Sequence, residues 1–188
     1  MKKHLIALLL LVVFIASSAC ISSNATAKEQ LARDYYQALN TSDFKRIAEM
    51  QYDSVRVKEG PYNSTYSVGD YVNWLQWDSV FSPTYELLDI KTKGDAIELT
   101  VSKLCQRIQF LNGGPMVSRE RIQLKKGKMY ELEIQEFISF DNEGWNARRE
   151  ALVNWIDKHH PELNGFINDQ TLQGGLNYRK ALQLYQNR

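Results

Sequence analysis

Cysteine and histidine are scarce in this 188-residue chain: Cys20 and Cys105 are the only thiols, and there are three histidines. That excludes a disulfide-stapled scaffold and leaves no Cys/His spacing suited to a zinc site. Glycine-rich phosphate loops and the Gly-x-Ser-x-Gly nucleophile elbow are missing as well. His159 and His160 are adjacent, so on a helix they point to different sides; near a helix C-terminus they suit the dipole better than a metal. Basic and acidic residues nearly cancel, 23 against 22, so no excess of positive charge is set aside for nucleic acid. The expectation is therefore no metal, no cofactor and no nucleic-acid partner. Repeats, low-complexity tracts and long linkers are also absent, and only one apolar run is long.

That run lies at the start. Lys2 and Lys3 precede an unbroken apolar stretch from Leu5 to Ala16, followed by Ser17, Ser18 and Ala19. This is the layout of a secretory signal, and it is shorter than the about 20 residues a helix needs to cross a bilayer. Ser17-Ser18-Ala19-Cys20 resembles the lipobox of bacterial lipoproteins, which implies cleavage before Cys20 and acylation of its new N-terminus. Ala25-Thr26-Ala27 offers an alternative cleavage site for ordinary signal peptidase, which would release a free protein. The organisation expected is a signal over 1–19, a lipidated cysteine and tether over 20–26, a domain over 27–140 and a helical extension over 141–188. The location expected is extracytoplasmic, lipid-anchored to a bacterial cell-envelope membrane. Without Lys2 and Lys3 the mature chain carries 21 basic and 22 acidic residues, a net charge of −1. With Cys20 acylated, Cys105 reads as a small core residue in a strand-like run.

Periodicity supplies the elements. Leu31, Tyr35 and Leu39 form one stripe of a helix over about Thr26 to Asn40, and Phe44, Ile47 and Ala48 form the stripe of a second with Ser42 as its N-cap. Val55 and Val57 alternate with Arg56 and Lys58 as in a half-buried strand, and Gly60-Pro61 with Asn63-Ser64 reads as a loop. Ser67 and Asp70 open a third helix whose face carries Tyr71, Trp74, Leu75 and Asp78. From Tyr85 to Phe140 strands dominate, broken at Lys93-Gly94-Asp95, Asn112-Gly113-Gly114-Pro115 and Lys126-Gly127. Within that region the apolar phase slips at Lys103-Leu104 and continues through Ile108 and Phe110, the pattern of a bulge in one long bent strand. Helical stretches near Trp145–Lys158 and Leu176–Gln186 close the chain. Helices followed by a run of strands argue for an α+β fold, a curved antiparallel sheet packed against N-terminal helices with a C-terminal helical extension. A curved sheet leaves room for a small ligand under the helices.

Ala32-Arg33-Asp34-Tyr35-Tyr36-Gln37-Ala38-Leu39-Asn40-Thr41-Ser42-Asp43-Phe44 resembles the opening helix and turn of the nuclear transport factor 2-like superfamily, in its SnoaL-like and ketosteroid-isomerase-like branch. Tyr52 to Pro61 is similar to that family's first strand, and Ser67-Val68-Gly69-Asp70 to the start of its third helix. The resemblance runs from about Ala27 to Phe140 and implies a cone-shaped fold around a pocket. It does not imply one activity.

The isomerase branch pairs a carboxylate base with a tyrosine hydroxyl that stabilises the developing enolate. By resemblance, Tyr35 falls at the tyrosine position and Glu59 at or beside the carboxylate; the family's second, protonated acid has no counterpart in Val117-Ser118-Arg119-Glu120-Arg121. Tyr52, Tyr71, Trp74 and Trp77 are candidate ligand-lining aromatics, and Arg119 and Arg121, alternating on one strand face, would suit an anionic ligand if they face inward. Three functional readings follow: an exported lipoprotein whose pocket binds a small, partly apolar molecule or serves as an accessory module; an isomerase- or cyclase-like enzyme using Glu59 and Tyr35; and a homodimeric association module, which an outward apolar face on Tyr130 to Ile138 would favour.

Overall fold

A computed structural model describes residues 26–188 of the chain. Cys20 and the expected export signal lie outside the described residues. The order is α1 (26–41), α2 (Phe44–Met50), β1 (Gln51–Glu59), β2 (Tyr62–Ser67), α3 (Val68–Ser79), β3 (Thr84–Lys93), β4 (Ala96–Leu104), α4 (Gln106–Asn112), β5 (Met116–Lys125), β6 (Lys128–Ser139), α5 (Asn142–His159), a short 3-10 helix (Pro161–Leu163) and α6 (Leu172–Gln186). The α+β class and the expected α1, α3 and closing helices are present. Ser67 caps α3 as expected: its hydroxyl accepts from the Asp70 amide at 3.1 Å and donates to the Asp70 carboxylate at 2.7 Å. The cap of α2, however, is Asp43, while Ser42 takes a left-handed φ of 54° in the turn.

The sheet departs from expectation. It has six strands in the order β2-β1-β6-β5-β4-β3, and β1 runs parallel to β6, so it is mixed rather than antiparallel. It is open, with β2 and β3 as edges, and is not strongly curled; the cone-shaped architecture does not hold. The reason lies at Lys103-Leu104. The strong bend was expected from one long bulged strand continuing to Phe110, but β4 ends at Leu104 and Cys105 caps helix α4, its sulfur accepting from the Ile108 amide at 3.4 Å. The phase slip marks a change from period two to helical spacing, with Ile108 and Leu111 buried three apart. Cys105 is buried and unpaired at that junction rather than inside a strand. The segment read as the Asn63-Ser64 loop is edge strand β2, paired with β1 from Ser54↔Ser67 to Glu59↔Tyr62.

Two apolar clusters hold the fold. The first joins α1, α2 and α3 to one sheet face through Tyr35, Ile47, Val55, Tyr71, Ile97 and Ile122. The second joins the far half of α3 to α4, α5 and α6 through Trp77, Phe81, Ile108, Ile156 and Tyr178. The C-terminal extension is thus built into the core. It packs tightly at Gly175, where a β-carbon would lie 2.9 Å from the Trp77 carbonyl oxygen. Along β6, Glu131 is buried and Ile138 is 48% exposed. Glu131 accepts from Arg56 and Lys58 at 3.3 and 3.0 Å, and Glu136 pairs with Arg119.

Candidate active site

Two layers of polar groups occupy the space between the sheet and α3. The outer layer lines a cavity of about 410 Å³ bounded by Val57, Glu59, Tyr62, Tyr66, Trp74, Leu132, Ile134 and Gln170. Register explains much of this wall. Val57 and Glu59 share a strand face by the period of two, Glu59 lies opposite Tyr62 on β2, and across the parallel pair it lies opposite Ile134 on β6. Trp74 comes from α3 and Gln170 from the loop before α6. The walls are largely apolar, and Glu59 is the acidic group among them. Its residue is exposed at the strand end, yet partial burial of the carboxyl raises its pKa, opposed by the nearby charges of Lys103 and Arg107. The Tyr62 and Tyr66 hydroxyls bond to each other, and burial together with that bond pushes the Tyr66 phenol up to about 12.

The inner layer is sealed. Tyr35, 1% exposed, shares a 2.5 Å hydrogen bond with the Tyr71 hydroxyl. Beside it the Tyr36 hydroxyl donates to Glu120 at 2.5 Å, and the Ser118 hydroxyl donates to the other carboxylate oxygen at 2.7 Å. Burial pushes the Glu120 carboxyl above its ordinary range, against the lowering effect of those two hydroxyls. Asp78, 3% exposed on α3, accepts from Lys103 at 2.7 Å and from the Tyr85 hydroxyl at 3.0 Å, with Arg107 at 3.9 Å. Burial pushes the Asp78 carboxyl up, but Lys103 and Arg107 overcome it and hold the group below the usual range. Burial also raises Tyr35, Tyr36 and Tyr85 well above an ordinary phenol, so all three remain neutral donors. Among the described residues no group of three or more His, Cys, Asp or Glu side chains could hold a metal ion.

The structure brings some candidates together and separates others. Glu59 and Trp74 line the same cavity, and Tyr35 and Tyr71 bond to each other. Tyr35 does not line that cavity. Tyr71 intervenes, its ring 6.4 Å from that of Tyr66 and 6.0 Å from that of Trp74. Trp77 belongs to the second apolar cluster, where the Arg107 guanidinium stacks on it at 5.1 Å. Tyr52 carries the Lys125 ammonium 4.7 Å over its ring, away from Glu59. Arg119 is surface-exposed against Glu136, and Arg121 lies opposite Glu98 and Glu133 in the ladder.

Glu120 and the Asp78–Lys103 pair are buried polar groups that sequence reasoning did not single out. A signal for Glu120 existed: Ile122 and Leu124 face inward, and the period of two carries that parity back to Glu120 and Ser118. A second cleft of about 350 Å³, at Ala27, Lys28, Leu31, Asp95 and Lys126, offers less chemistry because Lys28 is engaged with Asp95 at 2.9 Å and with the Gly94 carbonyl at 2.6 Å.

No protein-family model matches the chain, and no curated protein matches its sequence. Solved structures do. A proposed polyketide cyclase from Sinorhizobium meliloti is similar at 19% identity over 56% of this chain and 94% of its own, with a TM-score of 0.50. A proposed ketosteroid isomerase from Kribbella flavida is similar at 14% identity over 58% of this chain and 77% of its own, also at 0.50. A de novo designed protein with a curved β-sheet is similar at 13% identity, covering 66% of this chain and 93% of its own, again at 0.50. At such identities the likeness is one of fold.

Proposed function

We propose that the domain is an isomerase- or cyclase-like enzyme that moves a proton beside a carbonyl, with Glu59 as the base. The observation that carries this reading is the position of Glu59, a carboxyl with a raised pKa in a cavity that it shares with Val57, Trp74, Leu132, Ile134, the two tyrosines of β2 and Gln170. Partial desolvation makes a carboxylate a stronger base, which is what abstraction of a proton α to a carbonyl needs. The enolate oxygen that develops requires a neutral donor, and the Tyr62–Tyr66 phenol pair supplies one on the same wall. Tyr35 acts one layer back, as a positioning residue that fixes Tyr71 behind Tyr66 and Trp74. No step in this chemistry calls for a cofactor.

The test is exchange of the α-protons of 2-tetralone for deuterium, followed by NMR. Glu59→Gln should slow enzymatic exchange about a hundredfold or more, the usual worth of a general base, while the ketone still binds. Exchange as fast as in the unmodified protein would remove Glu59 from the mechanism.

We also propose, on the Lys2-to-Cys20 pattern alone, that the protein is exported and held at a membrane through an acylated Cys20. Several acyl chains on one cysteine, at about 0.8 kcal/mol per buried CH₂, would anchor it firmly. Mass spectrometry of the mature N-terminus decides this: an acylated Cys20 is expected, and a chain starting at Lys28 would refute it.

A further inference from the structure

The start of α1 and two β-turns meet at one end of the molecule. The Lys28 ammonium donates to the Gly94 carbonyl at 2.6 Å and to Asp95 at 2.9 Å, tying α1 to the β3–β4 turn. The β5–β6 turn closes the same end. Lys126 and Gly127 line a cleft of about 350 Å³ with Ala27, Leu31 and Asp95. Gly127 and Lys128 line another, of about 410 Å³, with Ala27, Leu31 and Arg46. That turn reads Lys125-Lys126-Gly127-Lys128, and all four residues are exposed.

Folding alone does not favour lysine at these positions. Lys125 and Lys128 lie directly opposite each other in the antiparallel pair, a like-charge placement that destabilises a hairpin. Lys126 takes a φ of 51°, a conformation that two-residue turns usually give to Asn or Gly. Other cations at this end have carboxylate partners: Arg46 has Asp34 at 3.2 Å, and Lys93 has Glu98 at 3.3 Å. Among the described residues no carboxylate lies within ion-pair distance of the three turn lysines. Lys125 stands instead 4.7 Å over the Tyr52 ring.

Position along the chain says what these charges face. Thr26, in the first turn of α1, comes six residues after Cys20, and a chain of that length spans at most about 20 Å. We propose that this end is the membrane-facing surface of the protein, on which Lys125, Lys126 and Lys128 bind the phosphates of anionic lipid headgroups. This rests on the reading of Cys20 as an acylated anchor. Each lysine beside an anionic leaflet contributes about a fivefold gain in partition. The turn thus adds to the anchor and sets the orientation of the domain, which an acyl group alone does not. β1 runs from Gln51, opposite Met129 at this end, to Glu59. At about 3.3 Å per residue that is roughly 26 Å, so docking holds the Glu59 cavity clear of the headgroups.

The test uses the full chain as its host processes it, added to vesicles of phosphatidylcholine alone or with about one-third phosphatidylglycerol. Lysines are acetylated with a membrane-impermeant ester and read one by one by mass spectrometry. Lys125, Lys126 and Lys128 should react about fivefold more slowly on the anionic vesicles. Salt at about 1 M, which shortens the Debye length to about 3 Å, should abolish the difference. Lys158 and Lys180 are the internal control. β4 leads away from the basic end to α4, and α5 and α6 gather there through Phe110, Tyr185 and Trp155. Lys126→Gln combined with Lys128→Gln should remove the protection of Lys125, with an unchanged urea midpoint showing that the variant is folded. Equal rates on the two lipids, or protection that survives salt or the double substitution, would overturn the proposal. Flotation of the same protein separates it from the anchor. A chain starting at Lys28 that floats with the anionic vesicles alone keeps the basic surface and removes the anchor. An acylated chain with equally reactive lysines does the reverse, and a chain that floats with neither lipid overturns both.

Discussion

Replacing Asp78 by asparagine would probe the inner polar layer directly. The carboxylate is 3% exposed and compensates two cations, Lys103 at 2.7 Å and Arg107 at 3.9 Å, while accepting from the Tyr85 hydroxyl at 3.0 Å. Asparagine keeps the shape and an acceptor for Tyr85 but removes the charge. Stripping one member from a buried ion pair costs about 3–5 kcal/mol, mostly because its partner is left uncompensated. Lys103 and Arg107 are 23% and 17% exposed, so both can draw some water, which places the expected loss at the lower end, about 3 kcal/mol. Against a total stability on the order of 5–15 kcal/mol this is large. Urea unfolding at pH 7, read by tryptophan fluorescence and far-UV circular dichroism, measures it. Tyr85→Phe is the control, since it removes a single hydrogen bond and should cost about 1 kcal/mol. The pH dependence gives a second check. Asp78 has a folded-state pKa below its ordinary 3.8, so its stabilisation is complete above that value and is lost as pH falls through the depressed one. Wild-type stability should therefore converge on that of Asp78→Asn in acid. A loss below about 1 kcal/mol at pH 7, or a difference that does not shrink in acid, would refute the ion-pair account.

Glu120 has the opposite sign. Burial raises its folded-state pKa above 4.5, so its contribution is complete below 4.5 and is lost as pH rises through the raised value; urea midpoints should show Glu120→Gln gaining on wild type between acid and neutral pH, and a constant gap would refute this. Gly175→Ala should cost about 1–3 kcal/mol by overpacking, because its new β-carbon meets the Trp77 backbone oxygen at 2.9 Å and Val80 Cγ2 at 3.1 Å. A midpoint unchanged in urea would show that α3 and α6 can part without penalty.

What was legible in the sequence depended on whether packing left a periodic trace. The α1 stripe was plain because Tyr35 and Leu39 both go into the core, and α3 was plain because Ser67 caps it and Tyr71, Leu75 and Asp78 all face inward. Strand β2 left no such trace: Tyr-Asn-Ser-Thr-Tyr-Ser at a sheet edge buries none of its residues fully, and its polar composition reads as loop. Helix α4 was hidden differently. Leu104, Ile108 and Phe110 keep an even spacing that a strand also satisfies, and seven residues are too few to separate the two periods. The pairing of Tyr35 with Glu59 on one ligand was inferred from positions along the chain, which cannot show that Tyr71 fills the space between the Tyr35 hydroxyl and the cavity.

The parallel pairing of β1 with β6 has the larger consequence. In an antiparallel sheet built from neighbouring strands, β1 would end beside whichever strand follows it, and Glu59 would sit on an edge next to solvent. Here β6 enters between β1 and β5 and sets Ile134 against Glu59, with Leu132 against Val57 two residues earlier. Those are the apolar contacts that partly desolvate the carboxyl, while β2 on the other side brings Tyr62 opposite it. The basicity proposed for Glu59 is thus a property of strand order more than of local sequence. Replacing Ile134 by asparagine, which rehydrates that wall, should move the Glu59 pKa back toward 4.5 and lower the exchange rate without touching the base itself. An NMR titration of the Glu59 side chain follows the shift, and an unmoved pKa in a folded variant would mean that something other than the β1–β6 contact holds the carboxyl up.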